Sequence, residues 1–578
     1  MHVIASRDIP EDHRVIADWN NLVSRMECPE VFFTHQWALA ASRAFSSIIR
    51  PLIFLVYDSD RLCGVAALAT NRASPQTAFF LAASTADYCD VVSDPETRGT
   101  VLAVVLDELR KSGVCDLELA NLPSDSSTLR QLPRVARSSG FHLNSRVAYD
   151  CGVVHLGSAQ ERQALLQSVA RKDREKRGLK KLAQLGPVRL THLSSDQCEG
   201  GLDPIISAHV SRFLATERVS PLVRPERRLF LMQLVRQLAQ AGWLKISQLE
   251  LDGQPIAWNF GFRFSDSWFW YLPTFQTEYE HLSPGSCLLR LLVEEGCADQ
   301  SVGRLDLGLG DEAYKERFAN TVRRTYYVQL SQSLVQHSAN VGRQLLTEGA
   351  HQLPRMEEHL RRTRARACDL GSRIRSTGLT ATAGHALRRT INLLASSEEV
   401  LLFEAPQIEA PTNADVTLEP LGWKQLAEAA INNAEDVQTL TYLMRSAKRL
   451  RQAGASGFLL RDQEAQPAHF LWIENCDGFH LAEIDHQLEF SYPGAAMIFD
   501  CWTPAANRGR GYYATAICLA AARLQREQKR AWIFSAASNA SSVRGILKAG
   551  FIYRFSLLRR TRWGRSTLTR SDTAGVVR

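Results

Sequence analysis

The sequence predicts an α/β (α+β) fold built of tandem modules, each a mixed central sheet flanked by helices, plus a helical connector. Three observations predict it. Strand and helix periodicities alternate along most of the chain, the pattern of layered sheets and helices. The length, 578 residues, suits three or four cores at roughly 150 residues each. The alternation stops once, over residues 331–398, where aromatic side chains vanish and arginines accumulate.

The first cycle, residues 1–155, opens with helical spacing through Trp19–Met26. The apolar run Pro51–Tyr57 reads as a strand, Asp58–Arg61 as a turn and Cys63–Thr70 as the partner strand. Val101, Val104, Val105, Leu106 and Leu109 recur at helical intervals within Gly99–Ser112, and Asp116–Ala120 follows as a strand. The second cycle, 156–330, begins with a basic helix, Leu165–Leu185, then helices Leu202–Thr216 and Glu226–Ala241. Strands Leu244–Leu251 and Pro255–Phe264 are joined by Asp252-Gly253, a hairpin signal, and Ser267–Leu272 is a third strand. After Ser283-Pro284-Gly285 come a helix, Ser286–Cys297, and a strand, Arg304–Leu307. Residues 331–398 read as a basic helical connector. The third cycle, 399–570, has helices at Trp423–Asn432 and Val437–Gln452 and strands at Gly457–Arg461, Ala468–Glu474, Gly478–Ile484 and Ala496–Trp502; 571–578 is a tail.

Composition excludes several classes. At 45% hydrophobic and 22% charged residues, the chain is far from the disordered corner. The net charge of +7 is local, concentrated at Arg171–Lys181, Arg355–Arg389 and Arg554–Arg570. Such patches suit phosphates and solvated helix faces alike, so charge alone does not predict nucleic-acid binding. Twelve cysteines lie scattered without C-x-x-C spacing, so neither a metal site nor a disulfide scaffold is expected. The N-terminus lacks a signal-peptide pattern, and Ile48–Tyr57 is too short to span a bilayer. A cytoplasmic protein is expected, with peripheral attachment to the inner membrane as an alternative.

The strand Ala496–Trp502 runs into Thr503-Pro504-Ala505-Ala506-Asn507-Arg508-Gly509-Arg510-Gly511-Tyr512-Tyr513 and then an apolar helix, Ala514–Leu524. A strand, a glycine turn and a helix start make an anion cradle, since glycine lets backbone N–H groups approach phosphate oxygens. Here the chain resembles the GNAT superfamily of acyltransferases, whose coenzyme A pyrophosphate loop reads Q/R-x-x-G-x-G/A. Arg508 and Gly511 match it, and Tyr513 stands where a small residue is usual. Downstream, strand Ala531–Ser535 leads to Asn539-Ala540-Ser541-Ser542 and Lys548-Ala549-Gly550-Phe551, similar to the N-x-x-S…K-x-G-F segment that ends GNAT domains.

The resemblance implies acetyl-CoA or another acyl-CoA as co-substrate. Its contacts would be Trp502, Arg508, Gly509, Arg510, Gly511, Tyr512, Tyr513, Ala514, Asn539 and Ser542. The tyrosine acid of many GNAT enzymes falls on Ile546. Glu474, Glu483 and Asp500 are candidate bases, and Tyr512, Tyr513 or Tyr553 candidate acids, each with the alternative of a surface carboxylate or core aromatic.

The N-terminal block carries Leu282-Ser283-Pro284-Gly285 before a helix and then Asp306-Leu307-Gly308-Leu309-Gly310-Asp311-Glu312-Ala313-Tyr314-Lys315. With Phe32-Phe33-Thr34-His35-Gln36-Trp37 and Ala86-Asp87-Tyr88, it resembles the acetyltransferase family associated with bacterial cellulose and exopolysaccharide biosynthesis. That family is similar to Fem-type aminoacyl transferases. The resemblance implies Asp306, Asp311, Tyr314 and Lys315 in or near a site; the alternative is that Asp311 caps a helix and Lys315 pairs with Asp306. Three functions stay open: acyl-CoA-dependent N- or O-acyl transfer to a small-molecule or saccharide acceptor, Fem-like transfer from charged tRNA, and a non-catalytic accessory role in an exopolysaccharide assembly.

Overall fold

The computed structural model describes residues 1–310, 312–351, 395–406, 417–489, 494–562 and 565–572. They form two compact units: Met1–Arg212 with Arg224–Gly349, and Phe213–Val223 with Ala350–Arg578.

The first unit contains the same succession of elements twice. The first pass runs β1 (His2–Ser6), α1 (His13–Ser24), α2 (His35–Ala44), β2 (Ile49–Asp58), β3 (Arg61–Asn71), β4 (Ser74–Phe80), the two-residue β5 (Val92–Ser93), α3 (Arg98–Lys111), β6 (Asp116–Pro123), α4 (Ser127–Ser138) and β7 (His142–His155). Two helices follow, α5 (Ala159–Ala170) and α6 (Asp173–Leu185). The second pass is β8 (Val188–His192), α7 (Leu202–Ala215), α8 (Pro225–Gln240), β9 (Leu244–Leu251), β10 (Gln254–Phe264), β11 (Ser267–Phe275), α9 (Pro284–Ala298), β12 (Arg304–Asp306), α10 (Ala313–Glu316) and β13 (Thr321–Ser331). In each pass one strand pair is parallel, β4 with β6 and β11 with β12.

Local chemistry sets these boundaries. Asp12 accepts from the N–H groups of Arg14 and Val15 at the start of α1, and Ser158 with Glu161 forms a capping box on α5. The β9–β10 hairpin turns at Asp252 (φ 51°) and Gly253 (φ 75°), the two left-handed positions its type requires. The basic segment is two helices rather than the single one its charge pattern suggests. Lys172, with φ −73° and ψ 99°, leaves helical geometry and starts α6 afresh.

The two passes share one sheet, ordered β1-β2-β3-β4-β6-β13-β7-β12-β11-β10-β9-β8. The last strands are exchanged: β13 pairs with β6 of the other pass, and β7 pairs with β12. The two last strands also pair with each other over Thr321–Ser331. Neither half can close its sheet alone, which fuses them into a single core.

The second unit has β14 (Ala395–Glu404), β15 (Leu418–Pro420), α12 (Trp423–Asn432), α13 (Val437–Leu450), β16 (Ser456–Arg461), β17 (Pro467–Asn475), β20 (Ala495–Trp502), α14 (Tyr512–Arg526), β21 (Arg530–Ala536), α15 (Ala540–Lys548), β22 (Ile552–Arg562) and β23 (Arg565–Ser571). Between β17 and β20, the expected strand Gly478–Ile484 shrinks to a two-residue pairing of β18 (His480–Leu481) with β19 (His486–Gln487). The sheet order is β15-β16-β17-β20-β21-β14-β22-β23, with β20 and β21 parallel. Here β14, from the start of the unit, occupies the place beside the second parallel strand. Small residues Ala516, Ala520 and Ala521 let α14 lie close on the sheet over Leu471, Ile473 and Ile498. Of the expected connector, α11 (Leu334–His351) is described; Arg355–Arg389 falls outside the described residues. Among the described residues no helix is long and apolar enough to cross a membrane.

Candidate functional site

In the second unit, β20 and β21 pair in parallel only from Ala495 with Arg530 to Ile498 with Ile533. Beyond that point they part. The departure is forced by a β-bulge: Phe470 faces Trp502 and Trp472 faces Phe499, so Asp500 and Cys501 together oppose Leu471. Asp500 sits at φ +44°, a left-handed conformation that costs a non-glycine residue energy. Its surroundings hold it there. Arg449 of α13 binds its carboxylate at 2.6 Å, and the Tyr442 hydroxyl donates to its carbonyl at 3.1 Å.

The gap left by the parting strands is a cleft of about 670 Å³. Its upper end is the loop from Thr503 to Gly511. Trp502 fixes the loop's base, donating from Nε1 to Thr439 at 3.0 Å and stacking on Tyr442 at 5.4 Å. Asp436 accepts the Ala505 N–H at 3.2 Å. Gly509 (φ 79°) and Gly511 (φ 86°) supply the left-handed backbone that turns the chain into α14. The N–H groups of Tyr512, Tyr513 and Ala514, residues that line the cleft, have no acceptor within the helix, and a helix start of this kind favours an anion.

All ten residues expected to hold the donor line this cleft except Arg510. Asn539 also has a structural duty, since its Oδ1 caps α15 by accepting the Ser542 N–H at 3.1 Å. Tyr513 does not stand across the loop. Its ring lies against Gly545 of α15, where a methyl group would come within 2.5 Å of Cδ1, and its hydroxyl hydrogen-bonds Ser542 at 3.0 Å. Burial raises the Tyr513 phenol well above its ordinary pKa, so it stays protonated at neutral pH. Ile546 is fully buried in the core.

Of the candidate bases, Glu483 and Asp500 line the cleft, and Asp500 is tied to Arg449. Glu474 pairs with Met497 at the other end of β17, beside Arg523 and Lys529, away from the cleft. Tyr553 lies on β22, with its hydroxyl donating to the Ser571 carbonyl at 3.2 Å; it too is outside the cleft.

One cleft residue has no counterpart among these expectations. His469 of β17 is 1% exposed, and its Nδ1 lies 2.8 Å from the Thr503 hydroxyl. Its Nε2 has no partner. Burial lowers its pKa to about 3, so the ring is neutral across the physiological range. His469 shares a face of β17 with Leu471 and Ile473, but Phe470 and Trp472 are buried as well, so no alternation in the sequence singles it out.

The N-terminal candidates are arranged differently. Asp306 accepts from the Tyr88 hydroxyl at 2.9 Å and the Gly308 N–H at 2.9 Å. Lys315 donates to the Leu309 carbonyl and pairs with Glu312 at 2.9 Å, not with Asp306. Tyr314 receives the Trp270 indole N–H at 3.0 Å, a bond that bridges the gap where β11 and β12 part. The N-terminal residue of α10 is preceded by Glu312; Asp311 lies outside the described residues. The start of α9 is covered by α6: Arg174 donates to Ser283 at 3.0 Å, and a methyl on Gly178 would meet the Leu282 carbonyl at 2.6 Å. Each of these described side chains has a partner in or beside the turn that follows β12. Among the described residues no cluster of three or more metal-ligating side chains forms.

Residues 170–316 match a family model described as an acetyltransferase (GNAT) domain. No curated protein matches the chain. Among solved structures the chain is similar to FemX, with 9% identity over 59% of this chain and 99% of that one and a TM-score of 0.41. It is similar to the C-terminal domain of a putative lysylphosphatidylglycerol synthetase from Agrobacterium fabrum, with 11% identity, 57% and 95% coverage and a TM-score of 0.36. A tandem GNAT protein from the clavulanic acid biosynthesis pathway gives 12% identity, 57% and 98% coverage and a TM-score of 0.32. The match to a GNAT acetyltransferase domain is confined to residues 170–316, within an α/β architecture of large mixed sheets flanked by helices.

Proposed function

We propose that the protein is an acyl-CoA-dependent N- or O-acyltransferase whose donor binds in the cleft of the second unit. The observation that carries this reading is the cleft itself, open where β20 and β21 part and closed at one end by a glycine loop on a helix start. The corresponding gap in the second N-terminal pass is bridged by Trp270 and Tyr314, and its helix start is covered by α6. The donor's diphosphate would take the free N–H groups of the loop and Arg508, with its acyl thioester nearer the bulge at Asp500.

In this scheme Glu483 accepts the proton of the acceptor's amine or hydroxyl as the nucleophile attacks the thioester carbonyl. The tetrahedral intermediate collapses, the C–S bond breaks, and the departing thiolate takes its proton from solvent. The motif resemblance of the N-terminal unit favours a cell-envelope or exopolysaccharide acceptor. Release of free thiol from acetyl-CoA, followed against a panel of amino sugars, polyamines and hydroxylated saccharides, tests the scheme. Glu483→Gln is expected to lower kcat by roughly 10²-fold or more with unchanged CoA affinity. A full rate in that variant removes Glu483 from the mechanism, and no turnover with any acceptor favours an accessory role.

A further inference from the structure

We infer that His469 is a recognition residue for the donor's diphosphate: Thr503 fixes the ring, and Nε2–H is presented to a phosphate oxygen at the start of α14. The inference rests on the proposed donor cleft. It begins from a buried polar atom that the fold leaves unsatisfied, an arrangement that costs about 1–3 kcal/mol unless something completes it.

Position decides which part of a donor would do so. His469 follows the β17 register that sets Phe470 against Trp502, so it stands opposite Thr503, the first residue of the loop. That is the diphosphate end of the cleft. The bulge at Asp500–Cys501 and the last parallel pair, Ile498 with Ile533, lie further down β20. The ring shares a face with Leu471 and Ile473, the face covered by α14, and its centroid is 5.6 Å from that of Tyr513 in the helix's first turn. The unpartnered nitrogen and the unpaired helix N–H groups therefore belong to the same end of the cleft.

The Thr503 hydroxyl can donate to Nδ1 or accept from it; in the proposed arrangement it donates, and the ring proton then resides on Nε2, the unpartnered atom of a residue that lines the cleft. A neutral donor suits the site, because the loop arginine and the helix terminus already supply positive charge.

The test is calorimetric titration of the full chain and its variants with coenzyme A and with ADP 3′-phosphate, which carries the diphosphate without the pantetheine arm. His469→Phe keeps a ring and removes the donor; it is expected to weaken both ligands at least about tenfold, the loss of one hydrogen bond to a charged group. His469→Gln places an amide N–H near the Nε2 position and is expected to stay within about threefold of wild type. Thr503→Val frees the tautomer and is expected to weaken binding by itself, yet to add nothing to His469→Phe, so the pair is also read as a double-mutant cycle. Coenzyme A weakened without ADP 3′-phosphate would assign the contact to the arm and overturn the inference. Wild-type affinity in His469→Phe, or additive effects in the double variant, would also overturn it. No binding by the wild type would instead fail the donor cleft itself.

Discussion

Acidification should destabilise the second unit through His469, by an amount that burial fixes. The folded-state pKa of about 3 lies below the 6.5 of an unperturbed imidazole. Above pH 6.5 both folded and unfolded states hold the ring neutral and the group contributes nothing to the pH dependence. As pH falls through 6.5, the unfolded chain binds a proton that the fold cannot accept, so stability drops progressively toward pH 3. Linkage gives a loss of about 2 kcal/mol at pH 5 and about 3 kcal/mol at pH 4 relative to pH 7.5. For a unit of this size 2 kcal/mol lowers Tm by about 4–8 °C. Calorimetric melts of the full chain and of His469→Gln at pH 7.5 and 5.0 measure the term, since every other titrating group is common to both. The second unit's transition should lose about 4–8 °C more in the wild type than in the variant. Equal pH slopes would show that His469 protonates in place, and the argument from burial would fall.

Three further outcomes test packing and electrostatics. Gly545→Ala places a methyl 2.5 Å from the Tyr513 ring, so despite a gain of about 1 kcal/mol in helix propensity a net loss of about 1–2 kcal/mol is expected in thermal melts; a more stable variant would mean the ring is not held against α15. Gly178→Ala meets the Leu282 carbonyl at 2.6 Å and the Cys287 sulfur at 2.8 Å, and about 1–3 kcal/mol of overpacking should appear in the first unit's transition; an unchanged Tm would show that α6 is not docked on α9. Arg323→Met removes the principal partner of Glu30, which is 0% exposed and bound at 2.5 Å. Its cost of about 3–5 kcal/mol should shrink as pH falls from 8 to 6, because burial pushes the Glu30 carboxyl up to about 7 and protonation neutralises the stranded charge. A pH-independent loss would place the destabilisation elsewhere.

Much of the fold was legible because its signals are local. Asp252-Gly253 announced its hairpin, apolar spacing located α3, and the run Thr503–Tyr513 announced a strand–loop–helix junction. The exchange of β7 and β13 was not legible. Strand pairing between Thr321–Ser331 and Asp116–Pro123 depends on partners some two hundred residues away, and no local pattern encodes it. The break between α5 and α6 was hidden because Lys172, where it falls, carries no turn chemistry of its own.

At the site, loop residues were found through motif spacing, which is contiguous. Glu474 and Glu483 could not be told apart by composition; their separation depends on which end of β17 faces the bulge. His469 was missed because its significance is an atom without a partner, a property of packing rather than of residue order. Tyr513, a misfit by motif, is accommodated by Gly545, thirty-two residues on and invisible to a loop pattern.

The proposed function requires that the cleft of the second unit hold an acyl-CoA by its diphosphate. Calorimetric titration of the full chain with acetyl-CoA, beside Gly511→Asp, tests it most directly: that change sets a carboxylate on the left-handed residue at φ 86° that begins α14. Wild-type binding with a Kd on the order of micromolar is expected, abolished in the variant. Absence of wild-type binding, or equal binding by Gly511→Asp, would contradict it.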